Sequence, residues 1–129
     1  MKAPTNRATE PPGVRCVVVA GAASGTGHVV HNVAELPPRT LLGLETLVPL
    51  GLTVAVAWAM LRRPGRVTYL ATGAWALVVV AVGGASVFPL AVWPFDPDQS
   101  AAHYAVHLAY AAAQLPILWV AARALLGDR

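Results

Sequence analysis

Residues 96–126 read DPDQSAAHYAVHLAYAAAQLPILWVAARALL, and the fold follows from how this stretch is read. It is mostly apolar and long enough to cross a bilayer as a helix. Its polar residues His103, His107, Tyr110 and Gln114 are spaced i, i+4, i+7, i+11, which is one face of an α-helix. Histidine is costly in hydrocarbon, so this line should face protein or a cavity and not lipid. The remainder of the chain therefore has to supply the partners.

Composition points the same way. Of 129 residues, 57% are hydrophobic and 12% charged, and the mean hydropathy is +0.60. A soluble domain carries about 25% charged residues. The deficit fits an all-α polytopic membrane protein with one membrane domain. The net charge of +3 is gathered in short basic clusters between apolar runs, a pattern of membrane orientation and not of nucleic-acid binding. The single cysteine, Cys16, excludes an internal disulfide and a cysteine-based zinc cluster. Residues 17–25 have the length of a signal-peptide core, but the charge distribution favours a retained helix.

Taken in order, residues 1–13 read as a polar, disordered cytoplasmic tail, and residues 14–127 as a four-helix membrane domain. Four transmembrane helices are predicted at about 14–34, 41–61, 67–92 and 97–126. Pro37-Pro38 closes the first, and Thr40 is the expected N-cap of the second. A basic turn, Arg62-Arg63-Pro64-Gly65-Arg66, precedes the third. An aromatic turn, Trp93-Pro94-Phe95, follows it. Asp96, Pro97 and Gln99 suit N-cap, N1 and N3 of the fourth. With four spans, Lys2, Arg7, Arg15, Arg62, Arg63, Arg66, Arg123 and Arg129 share one side, and Arg39 stands alone on the other. This bias places both termini in the cytoplasm and the protein in the cell membrane. Pro49, Pro89 and Pro116 are expected to bend their spans.

Gly21 and Gly25 form a GxxxG, a pattern that lets helices approach closely. The run from Val17 to Gly27, VVVAGAASGTG, also resembles the opening of short-chain dehydrogenases, with Ala20 where that family has threonine. The resemblance covers about a tenth of the chain and implies a strand, a phosphate-binding turn and a dinucleotide. That fold needs further βαβ units, and its Tyr-xxx-Lys pair has no counterpart, since Lys2 is the only lysine. Helix packing is the simpler account of these glycines.

A second polar line lies on helix 1: Ser24, His28, His31 and Glu35, again at i, i+4, i+7, i+11. Glu45 is the only carboxylate well inside a predicted span. Under the four-span topology His28, His31, Glu35, Glu45, His103 and His107 share the outer half of the membrane at comparable depths. Each has a structural reading. Glu45 suits the positive end of helix 2, and Pro49 frees its backbone carbonyl. His31 and Glu35 form an i, i+4 pair. Tyr110 and Gln114 serve as interhelical hydrogen-bonding groups. The set as a whole points to a site, and three functional classes follow.

The first class is a haem or metal site: His28, His31, His103 and His107 as cofactor ligands, or His103, His107, His28 and Glu45 around zinc or copper. The second is a small isomerase- or cyclase-type enzyme acting on a lipophilic substrate, with Glu45 and His107 as the catalytic acid–base pair. His31-Asn32-Val33-Ala34-Glu35 is similar to one His-xxx-Glu element of the emopamil-binding sterol isomerases, over five residues. The third is an accessory protein whose polar residues set helix packing. Expected partners are the lipid bilayer and a homo-oligomer or membrane-complex subunit, with no nucleic acid. The whole layout resembles the small four-helix integral membrane proteins of high-GC bacteria. That resemblance implies fold and localisation and supplies no catalytic residues.

Overall fold

The computed structural model describes residues 12–92 and 97–127. Among them are four α-helices and no strand: α1 Val14–Glu35, α2 Leu44–Arg62, α3 Arg66–Ala85 and α4 Ala101–Gly127. A 3-10 turn, Pro38–Thr40, joins α1 to α2. The tail at 1–11, the aromatic turn at 93–95 and the cap expected of Asp96 lie outside the described residues.

Helix ends differ from expectation where proline and short polar side chains compete for the backbone. Thr40 does not cap α2. Its hydroxyl donates to the Pro37 carbonyl at 2.7 Å, closing the 3-10 turn, and α2 begins at Leu44 behind Gly43. The third helix stops at Ala85 and not near residue 92. The ring of Pro89 would collide with the carbonyl four residues earlier, at Ala85, and Phe88 before it is biased out of the α region. Gly83-Gly84 weaken the last turn further. Pro89 therefore ends a helix and does not bend one. Pro49 and Pro116 do lie inside α2 and α4.

The fourth helix starts at Ala101, after Pro97-Asp98-Gln99-Ser100. The Ser100 hydroxyl accepts the His103 N–H at 3.2 Å and donates to Asp98 at 2.6 Å, so Ser100 caps the first turn of α4. The Ser100 hydroxyl, with its backbone N–H, holds the exposed Asp98 carboxyl below the usual carboxylate range. Gln99 donates its amide to the Val87 carbonyl at 3.0 Å, tying the end of α3 to the start of α4.

Each helix runs antiparallel to its neighbours in the order α1, α2, α3, α4 and back to α1, with α4 packed most extensively, against α3 and α1. Glycines permit the close approaches. A β-carbon on Gly27 would lie 2.6 Å from that of Ala113, and one on Gly83 would strike the Tyr110 ring. Gly21 and Gly25 face Ala57 and Leu50 of α2, which is the packing role of the GxxxG, and Val17–Val19 are helical and not a strand.

Burial is inverted relative to a soluble bundle. Ser24, Thr53, Thr72 and Gln114 are fully buried, while Val18, Val33, Val54, Leu77, Leu108 and Leu115 face outward. Three helices, α2, α3 and α4, are long and apolar enough to cross a membrane. Inside, one end of the bundle is filled by Val17, Ala20, Met60, Tyr69, Ala76, Ile117, Val120 and Ala124. The other end is polar.

Candidate functional site

The two polar lines meet each other. Because α1 and α4 are antiparallel and both lines share the same spacing, each step back along one matches a step forward along the other. Ser24 donates to Gln114 Oε1 at 2.5 Å, and His28 Nδ1 meets the Tyr110 hydroxyl at 2.7 Å. His31 Nε2 meets His107 Nε2 at 3.2 Å, and His103 Nδ1 meets Glu35 Oε2 at 2.5 Å. The result is a four-rung seam running from the mid-bundle to the end of α1.

Neighbouring oxygen atoms fix the tautomer of three of these histidines. The Asn32 amide donates to Thr46 Oγ1 at 2.8 Å and toward the Glu45 carbonyl at 3.4 Å. Its oxygen is thereby turned to His31 Nδ1, 2.8 Å away, which must be the donor. His107 Nδ1 donates to the Gly83 carbonyl at 2.6 Å. That carbonyl lacks a helical backbone partner because α3 ends two residues later, and it also accepts the Ser86 hydroxyl at 3.0 Å. His103 Nδ1 donates to the Glu35 carboxylate. In the neutral form of each of these three rings Nε2 then carries a lone pair. The Nε2 atoms of His31 and His107 are two acceptors facing each other, a contact that closes only with a proton or a cation between them. His103 Nε2 is buried and has no hydrogen-bond partner among the described residues.

His28 is different. Its Nε2 meets Thr53 Oγ1 at 3.0 Å, and the Trp75 indole also donates to that hydroxyl at 3.0 Å. With Tyr110 on Nδ1, both nitrogens of His28 have hydroxyl partners, either of which donates or accepts. His28 is 2% exposed and fully satisfied.

Glu35, His103 and His107 bring ligand atoms within 4.8 Å of one another, and the rings of His103 and His107 lie 4.4 Å apart. Glu45 stands apart. It is exposed, and its carboxylate folds back over Gly43 at the start of α2 instead of joining the histidines. Its backbone carbonyl, freed by Pro49, is the group that Asn32 reaches. Glu45 does share the rim of a cavity of about 440 Å³ with His28, His31, Trp75 and Tyr110. The structure thus gathers Glu35, His103 and His107 in one group, joins His31 to it through His107, and places His28 deeper and Glu45 to one side.

Sequence reasoning passed over Asn32, Thr46, Thr53, Gly83 and Ser86. Asn32 continues the α1 face at four residues from His28, and that spacing was a usable signal. The Gly83 carbonyl had none, because its availability depends on where α3 stops.

Comparison with protein-family models, curated proteins and solved structures finds no match to the chain. The class is read from the fold and the site alone: a helical bundle with three membrane-capable helices and a histidine–glutamate cluster at one end.

Proposed function

We propose that the chain is a four-span integral membrane protein that binds a divalent transition-metal ion, zinc or copper, in the seam between α1 and α4. Its fourth span is α1: 22 residues, about 33 Å at 1.5 Å per residue, with Val18, Val19, Val29, Val30 and Val33 outward. The inward polar line is what lowers its apolarity. The basic bias supports termini in the cytoplasm, a seam in the outer half and a place in the cell membrane.

One observation carries the metal reading: three neighbouring histidines each commit Nδ1–H to an oxygen and leave Nε2 free. Metal-ligating histidines are held in just this way by carbonyl and carboxylate partners. Two nitrogens at about 2.0–2.1 Å from a tetrahedral zinc lie roughly 3.3 Å apart, and the Nε2 atoms of His31 and His107 are 3.2 Å apart. His103 is the third ligand, oriented by Glu35, whose carboxylate also offsets part of the ionic charge. Asn32 and the Gly83 carbonyl orient the other two. Three nitrogen ligands leave a fourth position for water or substrate. A haem fits less well, since the His31 and His107 rings, 4.5 Å apart and perpendicular, leave no space for a macrocycle between them.

The test is metal content of protein purified in mild detergent without chelator, followed by zinc titration. About one ion per chain is expected. His107→Ala should lose it, whereas His28→Ala should keep it while lowering thermal stability. A metal-free wild type that takes up no zinc, or equal loss in both variants, overturns the reading.

A further inference from the structure

The seam has an open end and a closed end. Its outermost rung joins Glu35, the last residue of α1, to His103 in the first turn of α4, and these side chains remain 21% and 11% exposed. The cavity of about 440 Å³ that reaches His31 also touches Leu36, Glu45 and Ser86, residues at the same end of the bundle. Its innermost rung, Ser24 to Gln114, is fully buried, and each of these residues is the last polar group of its line.

Beyond that rung the four helices close on one another. Val17 and Ala20 of α1, Met60 of α2, Tyr69 and Ala76 of α3, and Ile117, Val120 and Ala124 of α4 form one buried cluster. From Ile117 to Ala124 it extends about 10 Å along α4 at 1.5 Å per residue. The hydroxyls at this level are those of Tyr69 and Thr72, and Thr72 donates to the Thr68 carbonyl at 2.8 Å and points toward the Val56 carbonyl of α2 at 3.5 Å. Two hydroxyls do not replace the hydration shell of an ion, and an unpaired charge in such surroundings is prohibitively costly.

We infer that the metal ion enters and leaves the seam only at the end of the bundle where α1 stops and α4 begins, so that the protein holds the ion at one face of the membrane and does not conduct it across. This rests on the metal reading and adds access and role to it. A site of this kind takes its ion from the aqueous phase on one side and returns it there, as a reservoir, a sensor or a metal-dependent catalyst does.

The experiment uses the full chain in liposomes, with zinc as the probe. Gly65→Cys, in a Cys16→Ala background, puts a thiol in the turn between α2 and α3, at the sealed end. A β-carbon on Gly65 meets nothing within 4 Å, and Cys16 is exposed. A membrane-impermeant maleimide counts the molecules whose sealed end faces out. External EDTA should then strip zinc only from the remaining fraction, and a zinc indicator in the lumen should register no entry above protein-free liposomes. Zinc stripped from both populations, or lumenal zinc rising with protein content, overturns one-sided access while leaving the metal site standing. Failure to bind zinc in detergent overturns both readings, so the two failures are distinguishable.

Discussion

The same four helices are held together by opposite means at their two ends. At one end α1 and α4 meet through four polar rungs, each pairing one side chain of α1 with one of α4 at hydrogen-bond distance. At the other they meet through Val17, Ala20, Ile117, Val120 and Ala124, whose contacts have no direction. Sliding α4 by one turn would leave the apolar end still filled with methyl groups. It would strand every rung, at about 1–3 kcal/mol for each buried polar group left unpaired. The polar end therefore selects the register, and the apolar end seals and packs. In lipid, where burying apolar surface supplies little drive, directional contacts and close packing have to carry specificity.

This contrast can be broken at several points. The largest effect is expected at Asn32, which touches no ion itself. Asn32→Ala removes the oxygen that fixes the His31 tautomer, and zinc affinity should fall 10–100-fold with the ligands intact, as read by competition with a chelating indicator. An unchanged affinity would mean that His31 is not held for a metal. The sealed end should respond the other way. Ile117→Ala, at a position 1% exposed, should cost about 2 kcal/mol in detergent unfolding while leaving zinc affinity untouched. A coupled loss of zinc would show that the two ends are not separable.

The smallest effect lies at the mouth of the seam. Ser100→Ala removes the cap of α4 and should destabilise by about 0.5–1 kcal/mol. The Asp98 carboxyl titrates below its usual range in the folded chain, so its contribution is complete above about pH 4 and lost as pH falls through the lower folded value. Asp98→Asn should flatten that acid limb of the stability curve.

Much of the architecture was legible because its signals are local. Apolar run length and charge clusters mark helices long enough for a membrane. The i, i+4, i+7, i+11 spacing places Ser24, His28, His31 and Glu35 on one face and His103, His107, Tyr110 and Gln114 on another. Helix ends were less legible, because several residues compete for one cap. Thr40 turned to Pro37, and Ser100 caps the first turn of α4. The stop at Ala85 was encoded in Pro89, four residues on, but an unbroken apolar run concealed it.

The sequence by itself determined that two polar faces exist and must avoid lipid, since helical periodicity and the cost of burying imidazole are properties of one segment at a time. Only the tertiary structure decided that the two faces pair rung by rung, that His28 is satisfied by Thr53 and Tyr110, and that Glu45 turns away over Gly43 while Glu35 joins the histidines. It also decided which ring nitrogens are free. The groups that fix His103 and His107 come from other helices, Glu35 of α1 and the Gly83 carbonyl at the end of α3, and Asn32, beside His31 on α1, is itself oriented by Thr46 of α2. A tautomer is set by its neighbours in space, and no spacing along the chain records them.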